Sequence, residues 1–192
     1  MPLPALVVVM LLVAQPAWAH APIPGVGGFA GGLLHPILVP SHGLSLLALG
    51  LYIGQQREHR IALAIFATTL IAGLTAIELA AGETPAEIVL LAVTGILGVL
   101  LAGAWSLPRP FGWLIAAIAG GALALDSPPD ATTLEEGNLM LLGTAVGACA
   151  GLAAVTIGTS LAKDTWNMLG VRVLGSWIAA SAILVLALAL AR

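Results

Sequence analysis

His35 and His42 bracket two prolines, Pro36 and Pro40, in the run Gly31-Gly32-Leu33-Leu34-His35-Pro36-Ile37-Leu38-Val39-Pro40-Ser41-His42, which is otherwise apolar enough to cross a membrane. Neutral imidazole is the commonest side-chain ligand for transition metals. In hydrocarbon it is disfavoured unless partnered, so a pair of imidazoles at membrane depth marks a functional site. Each proline removes a backbone donor and crowds the carbonyl four residues earlier, so a helix carrying both must kink or break. On a straight helix His35 and His42 would share a face but stand about 10 Å apart along the axis, too far to hold one ion. A first span kinked at Pro36 and Pro40 frees carbonyl oxygens and bends side chains toward a shared cavity, and Ser41 adds a hydroxyl beside His42. The competing reading is a histidine that hydrogen-bonds a backbone carbonyl and serves only packing. Two histidines with two prolines between them favour a functional site.

Three further residues could join that chemistry. Glu78 is an oxygen ligand, a proton acceptor, or a side chain snorkelling to the interface. Asp126, just before Pro128 and Pro129, is either a site carboxylate or part of a solvated acidic loop. His20 would offer an imidazole and a free amine if the chain were cleaved after Ala19, two nitrogens that suit Cu(II) or Ni(II). Pro22 lacks the amide hydrogen that a wrapped square-planar site there would have to ionise. His59 lies in the polar stretch 55–60 and reads as solvated, and the lone Cys149 reads as a small packing residue with no disulfide partner.

The elements that would position these groups follow from composition. Hydrophobic residues make up 60% of the 192, charged residues only 8%, and the mean hydropathy is +1.09. A soluble domain carries about a quarter charged residues, so this chain is an integral membrane protein embedded in the lipid bilayer. Leu6 to Ala14 with Ala17-Trp18-Ala19 reads as the core and cleavage site of a signal peptide over residues 1–19, although a charged start is missing. The alternative, a first transmembrane helix, is short for a span. The rest, residues 20–192, reads as one all-α domain of six spans at roughly 27–54, 61–81, 86–106, 110–126, 137–161 and 169–191. The fourth is the shortest.

Loop charges orient the bundle. Arg57, Arg60, Arg109, Lys163 and Arg172 fall in three loops on one side. The opposite loops, 82–87 and 126–136, hold Glu83, Glu87, Asp126, Asp130, Glu135 and Glu136 and no basic residue. That is the positive-inside pattern, and it places the mature N-terminus outside, as a cleaved signal also does. Small residues repeat at Gly27/Gly31, Gly28/Gly32 and along Gly143, Gly147 and Gly151, spacing that lets helices approach closely, though glycine is also simply common in membrane helices.

Several function classes are excluded. There is no basic patch for nucleic acid, no GxxxxGK[ST] loop for a nucleotide, and no nucleophile–base pair or hydride-cofactor fingerprint, so neither an enzyme nor an organic cofactor is expected.

Gly27-Gly28-Phe29-Ala30-Gly31-Gly32-Leu33-Leu34-His35-Pro36, then His42, then Leu49-Gly50-Leu51 resembles the HupE/UreJ family, whose first span has a glycine-rich lead followed by His-Pro-x-x-Gly-x-Asp-His. Ala119-Gly120-Gly121-Ala122-Leu123-Ala124-Leu125-Asp126-Ser127-Pro128 is the best fit to the family's later His-Gly-x-Ala-His-Gly-x-Glu-x-Pro motif. The specific likeness spans about residues 25–57. Ser41 stands where the family has aspartate, Val39 where it has glycine, Asp126 where it has glutamate, and both later histidines are gone. The resemblance implies a signal-bearing, six-span protein of the bacterial cytoplasmic membrane associated with nickel or cobalt uptake for hydrogenases and ureases, with His35 and His42 at metal-linked positions. The expectation is a secondary permease for a transition-metal ion, nickel or cobalt by the resemblance, or copper. The alternative is a non-transporting partner, or metal-loading subunit, of a larger metalloprotein complex. A homo-oligomer or a membrane complex partner would fit the glycine stripe.

Overall fold

The break in the first apolar run shapes the helical packing. In the computed structural model, residues 26–56, 59–77, 86–161 and 164–191 are described, and they form seven helices and no strand. Helix α1 is Gly28–Leu38 and α2 is Pro40–Gly54; the two meet at a bend of 67°. The kink expected at Pro36 and Pro40 is in fact a single break at Val39, which is extended at φ −75° and ψ 117°. The residue before a proline is pushed out of the helical region, which fixes Val39 ahead of Pro40. Pro40 then opens α2 at a position where its missing N–H costs nothing. Pro36 stays inside α1 and is buried.

The remaining helices are α3 His59–Ile77, α4 Ala86–Gly103, α5 Arg109–Leu125, α6 Leu134–Leu161 and α7 Thr165–Leu190. Four of these, α3, α4, α6 and α7, are long and apolar enough to span a membrane, and the broken pair α1–α2 makes a fifth if counted as one span. Helix α5, at 17 residues, is shorter, as its sequence predicts. The proposed signal segment and His20 lie in residues 1–25, and Glu78 in 78–85, all outside the described residues.

Helix α4 stops three residues before the expected 106. Ala104 takes a left-handed φ of 53°, and the amide of Trp105 donates to the Leu100 carbonyl at 2.9 Å while that of Ala104 donates to Leu101 at 3.1 Å. This is the left-handed helix end usually built on glycine. Arg172 Nε covers another terminal carbonyl, Ala102, at 3.1 Å. At the start of α6, Thr133 Oγ1 accepts from the Glu136 amide while the Glu136 carboxylate accepts from Thr132, so that acidic residue caps a helix.

Helix α2 runs through the centre and touches every other helix. Eleven of its fifteen residues are buried. Around it the others pair: α1 on α6, α3 on α5 and α4 on α7. Without a hydrophobic drive between helices in lipid, such pairs rely on close van der Waals approach. The α1–α6 crossing is the tightest. A Cβ added at Gly32 would run into the Met140 carbonyl, and one at Gly143 or Gly147 into the carbonyls of Phe29 or Leu33. Gly151, at the end of the expected stripe, meets only the end of the Leu46 side chain and is not part of that crossing.

The crossing predicts an asymmetric tolerance on α6. Gly143→Val should force α1 off α6 and destabilise the folded protein by about 1–3 kcal/mol or more, the cost of overpacking. Gly158→Ala, where an added Cβ meets nothing, should be neutral or stabilise by about 0.5–1 kcal/mol. Thermal unfolding in detergent micelles separates the two; equal behaviour would sink this account of the crossing.

Candidate metal site

The bend does what a straight helix cannot. His35 sits in the last turn of α1 and His42 in the first turn of α2, and their ring centroids are 5.2 Å apart at an interplanar angle of 68°. His42 is fully buried and His35 is half-buried.

Asp126 reaches the pair from α5. That helix ends because Ser127 precedes Pro128, and the residue before a proline is disfavoured in helix. The turn is tied down by the Asp126 amide donating to the Ala122 carbonyl at 3.0 Å and by Ser127 Oγ donating to the Leu123 carbonyl at 2.7 Å. The Asp126 side chain is only 13% exposed, so the solvated-loop reading is set aside. Its Oδ2 lies 2.9 Å from His42 Nε2. An ionised carboxylate only accepts, so the shared hydrogen belongs to Nε2. In the neutral ring the lone pair is then on Nδ1, the arrangement by which a carboxylate orients a metal-binding histidine.

Two helix ends add to the field. Both α1 and α5 terminate here, and helix C-termini carry partial negative charge that favours a cation. Pro40 has no N–H to offer the Pro36 carbonyl. Ser41 Oγ is buried and makes no hydrogen bond among the described residues. Below it, Ser45 Oγ donates to the Ser41 carbonyl at 2.7 Å and is hydrogen-bonded to Thr94 Oγ1 on α4, both hydroxyls buried.

Of the sequence-predicted site residues, then, the fold sets His35 beside His42 and, separately, Asp126 on His42, with Ser41 next to His42 in the chain, while Glu78 and His20 lie outside the described residues. Among the described residues no group of three or more His, Cys, Asp or Glu converges so as to hold a metal ion. Ala119 and Leu123, where the resembled motif has histidines, are buried apolar residues on α5. Sequence reasoning missed Ser45, Thr94 and Thr144. The signal was present, since isolated hydroxyls in apolar helices must find acceptors.

Removing either partner of the His42–Asp126 bond should leave a buried polar group and destabilise by about 1–3 kcal/mol. His42→Ala and Asp126→Ala together should cost less than the sum of the single changes, by about 0.5 kcal/mol or more. A thermal-unfolding double-mutant cycle measures this, and strict additivity would count against the contact.

Against known proteins, the model of a family described as HupE / UreJ protein matches residues 8–186. No curated protein and no solved structure matches the chain.

Proposed function

The chain belongs to the HupE/UreJ family, and on that premise we propose that it is a six-span permease of the cytoplasmic membrane that carries a transition-metal ion inward, nickel or cobalt before copper. The family is associated with nickel or cobalt transport or with urease and hydrogenase maturation. The observation that carries the reading is the His42–Asp126 hydrogen bond beside His35, at a helix break inside an apolar bundle. Buried ionisable groups at membrane depth are costly and mark ion pathways, and discontinuous helices recur at such sites.

In this mechanism the ion is substrate. Acidic residues at the outer ends, Asp130, Glu135 and the capping Glu136 among them, raise the local cation concentration. The ion enters between the C-terminal ends of α1 and α5 and is taken by the His35 and His42 imidazoles. Asp126 holds His42 in the tautomer that presents Nδ1, and Ser41 supplies a hydroxyl. Glu78 and His20 would be further donors on this reading. Binding requires neutral imidazoles, so arrival of the metal releases any proton they carry. Rearrangement at Val39 and Pro40 then opens the inner side. The loop charges support the orientation this assumes, with the basic loops inside.

A second reading has a specific observation behind it. Because no three His, Cys, Asp or Glu converge among the described residues, the site also suits a non-transporting subunit that hands metal to, or anchors, a metalloprotein partner.

Purified protein in sealed vesicles with a chelating dye inside distinguishes the two. The permease admits Ni²⁺ or Co²⁺; His35→Ala/His42→Ala abolishes entry with insertion intact, and Asp126→Asn weakens apparent affinity by about 10–100-fold, as expected for a residue that orients a ligand. Unchanged flux in the double-histidine variant overturns the histidine site. Absence of flux in the wild type, together with a stable heteromeric complex on mild extraction, selects the second reading.

A further inference from the structure

Helix α1 carries His35 yet packs only on α6 and α2 among the described elements. Its outer side is open, with Ile37 and Leu38 more than half exposed. Among the described helices, then, α1 is held in place by α6 and by its junction with α2.

One hydrogen bond on α6 has a particular reason to exist. In an α-helix the carbonyl of residue i accepts from the amide of residue i+4. The Gly32 carbonyl would accept from residue 36, which is proline and has no N–H. Thr144 Oγ1 donates to that same Gly32 carbonyl at 3.3 Å, and Thr144 is 4% exposed. A carbonyl left without a donor in a membrane interior is expensive, so the substitution has a physical cause. The contact sits where the Gly143 and Gly147 backbone lies against Phe29 and Leu33. It lies less than one turn before His35.

We propose that Thr144 is the positioning residue for His35: its hydroxyl replaces the amide that Pro36 removes and tethers the outer half-helix to α6, holding the imidazole within reach of His42. The inference rests on the metal-site reading only for its consequence in binding; the tether itself is independent of it.

The test uses full-length protein in detergent with Co²⁺ as probe, whose absorbance reports the ligand set, alongside hydrogen exchange of the α1 amides. Thr144→Val keeps the shape and removes the donor; it should speed exchange across α1 and weaken Co²⁺ binding about tenfold or more, the scale of lost outer-sphere support. Thr144→Ser should stay near wild type in both. In a Pro36→Ala background the amide is restored, so Thr144→Val should lose most of its effect. Unchanged exchange and affinity in Thr144→Val overturns the proposal, as does an undiminished effect in the Pro36→Ala background. If the wild type binds no Co²⁺, the metal reading fails, and the exchange data alone decide the tether.

Discussion

The architecture turns on the ring of Pro40, whose Cδ crowds the backbone of the residue before it. Because of it, Val39 leaves the helical region, the first apolar run divides into α1 and α2, and the axis turns by 67°. Residues that a straight helix would hold about 10 Å apart along its axis come to a ring separation of 5.2 Å. The bend also points α2 into the middle of the bundle, where its first turn can be reached from α5. The same break therefore makes His42 both a neighbour of His35 and a partner of Asp126.

A broken helix inside an apolar bundle exposes backbone that water cannot reach, and the surroundings are arranged to cover it. Pro40 stands at the first position of α2, where no donor is required. The donor missing at Pro36 is supplied from α6 by Thr144. Close approach of α6 is possible because Gly143 and Gly147 present bare backbone to α1. Thus the glycines and the threonine on one helix answer the prolines on another. In lipid, where an unsatisfied carbonyl costs several kcal/mol, this pairing is what makes Pro36 tolerable inside α1.

Much of this was legible in the sequence, and the remainder was hidden for identifiable reasons. The helical segments follow from apolar runs bounded by Pro108, Pro110, Pro128 and Pro129. The break was legible as two prolines, but choosing between Pro36 and Pro40 needed tertiary contacts, because either could have ended the helix. Pro36 is retained in α1 only with a donor more than a hundred residues away in the chain. The partnership of Asp126 with His42 spans 84 residues, and local pattern could only offer the carboxylate as a candidate. The early end of α4 was missed because a left-handed residue usually signals itself as glycine, and here it is Ala104. Glu136, read only as one of the acidic loop charges, also caps α6, a use that Thr133-Leu134-Glu135-Glu136 already spelled out.

The composition of the site bears on what kind of metal chemistry it suits. Two imidazoles, one of them oriented by a carboxylate, and a hydroxyl form a thinner donor set than a storage or structural site, which encloses its ion with four protein ligands. On the permease reading that thinness is useful. An ion in transit must bind firmly enough to shed part of its hydration and loosely enough to leave. A donor set divided between two half-helices would suit both, since the two imidazoles stand on opposite sides of the break at Val39. The buried Ala119 and Leu123 on α5 push the same way, closing off positions from which further donors would have deepened the site. What α6 holds and what Pro40 releases are then opposing controls on a single separation, that between His35 and His42.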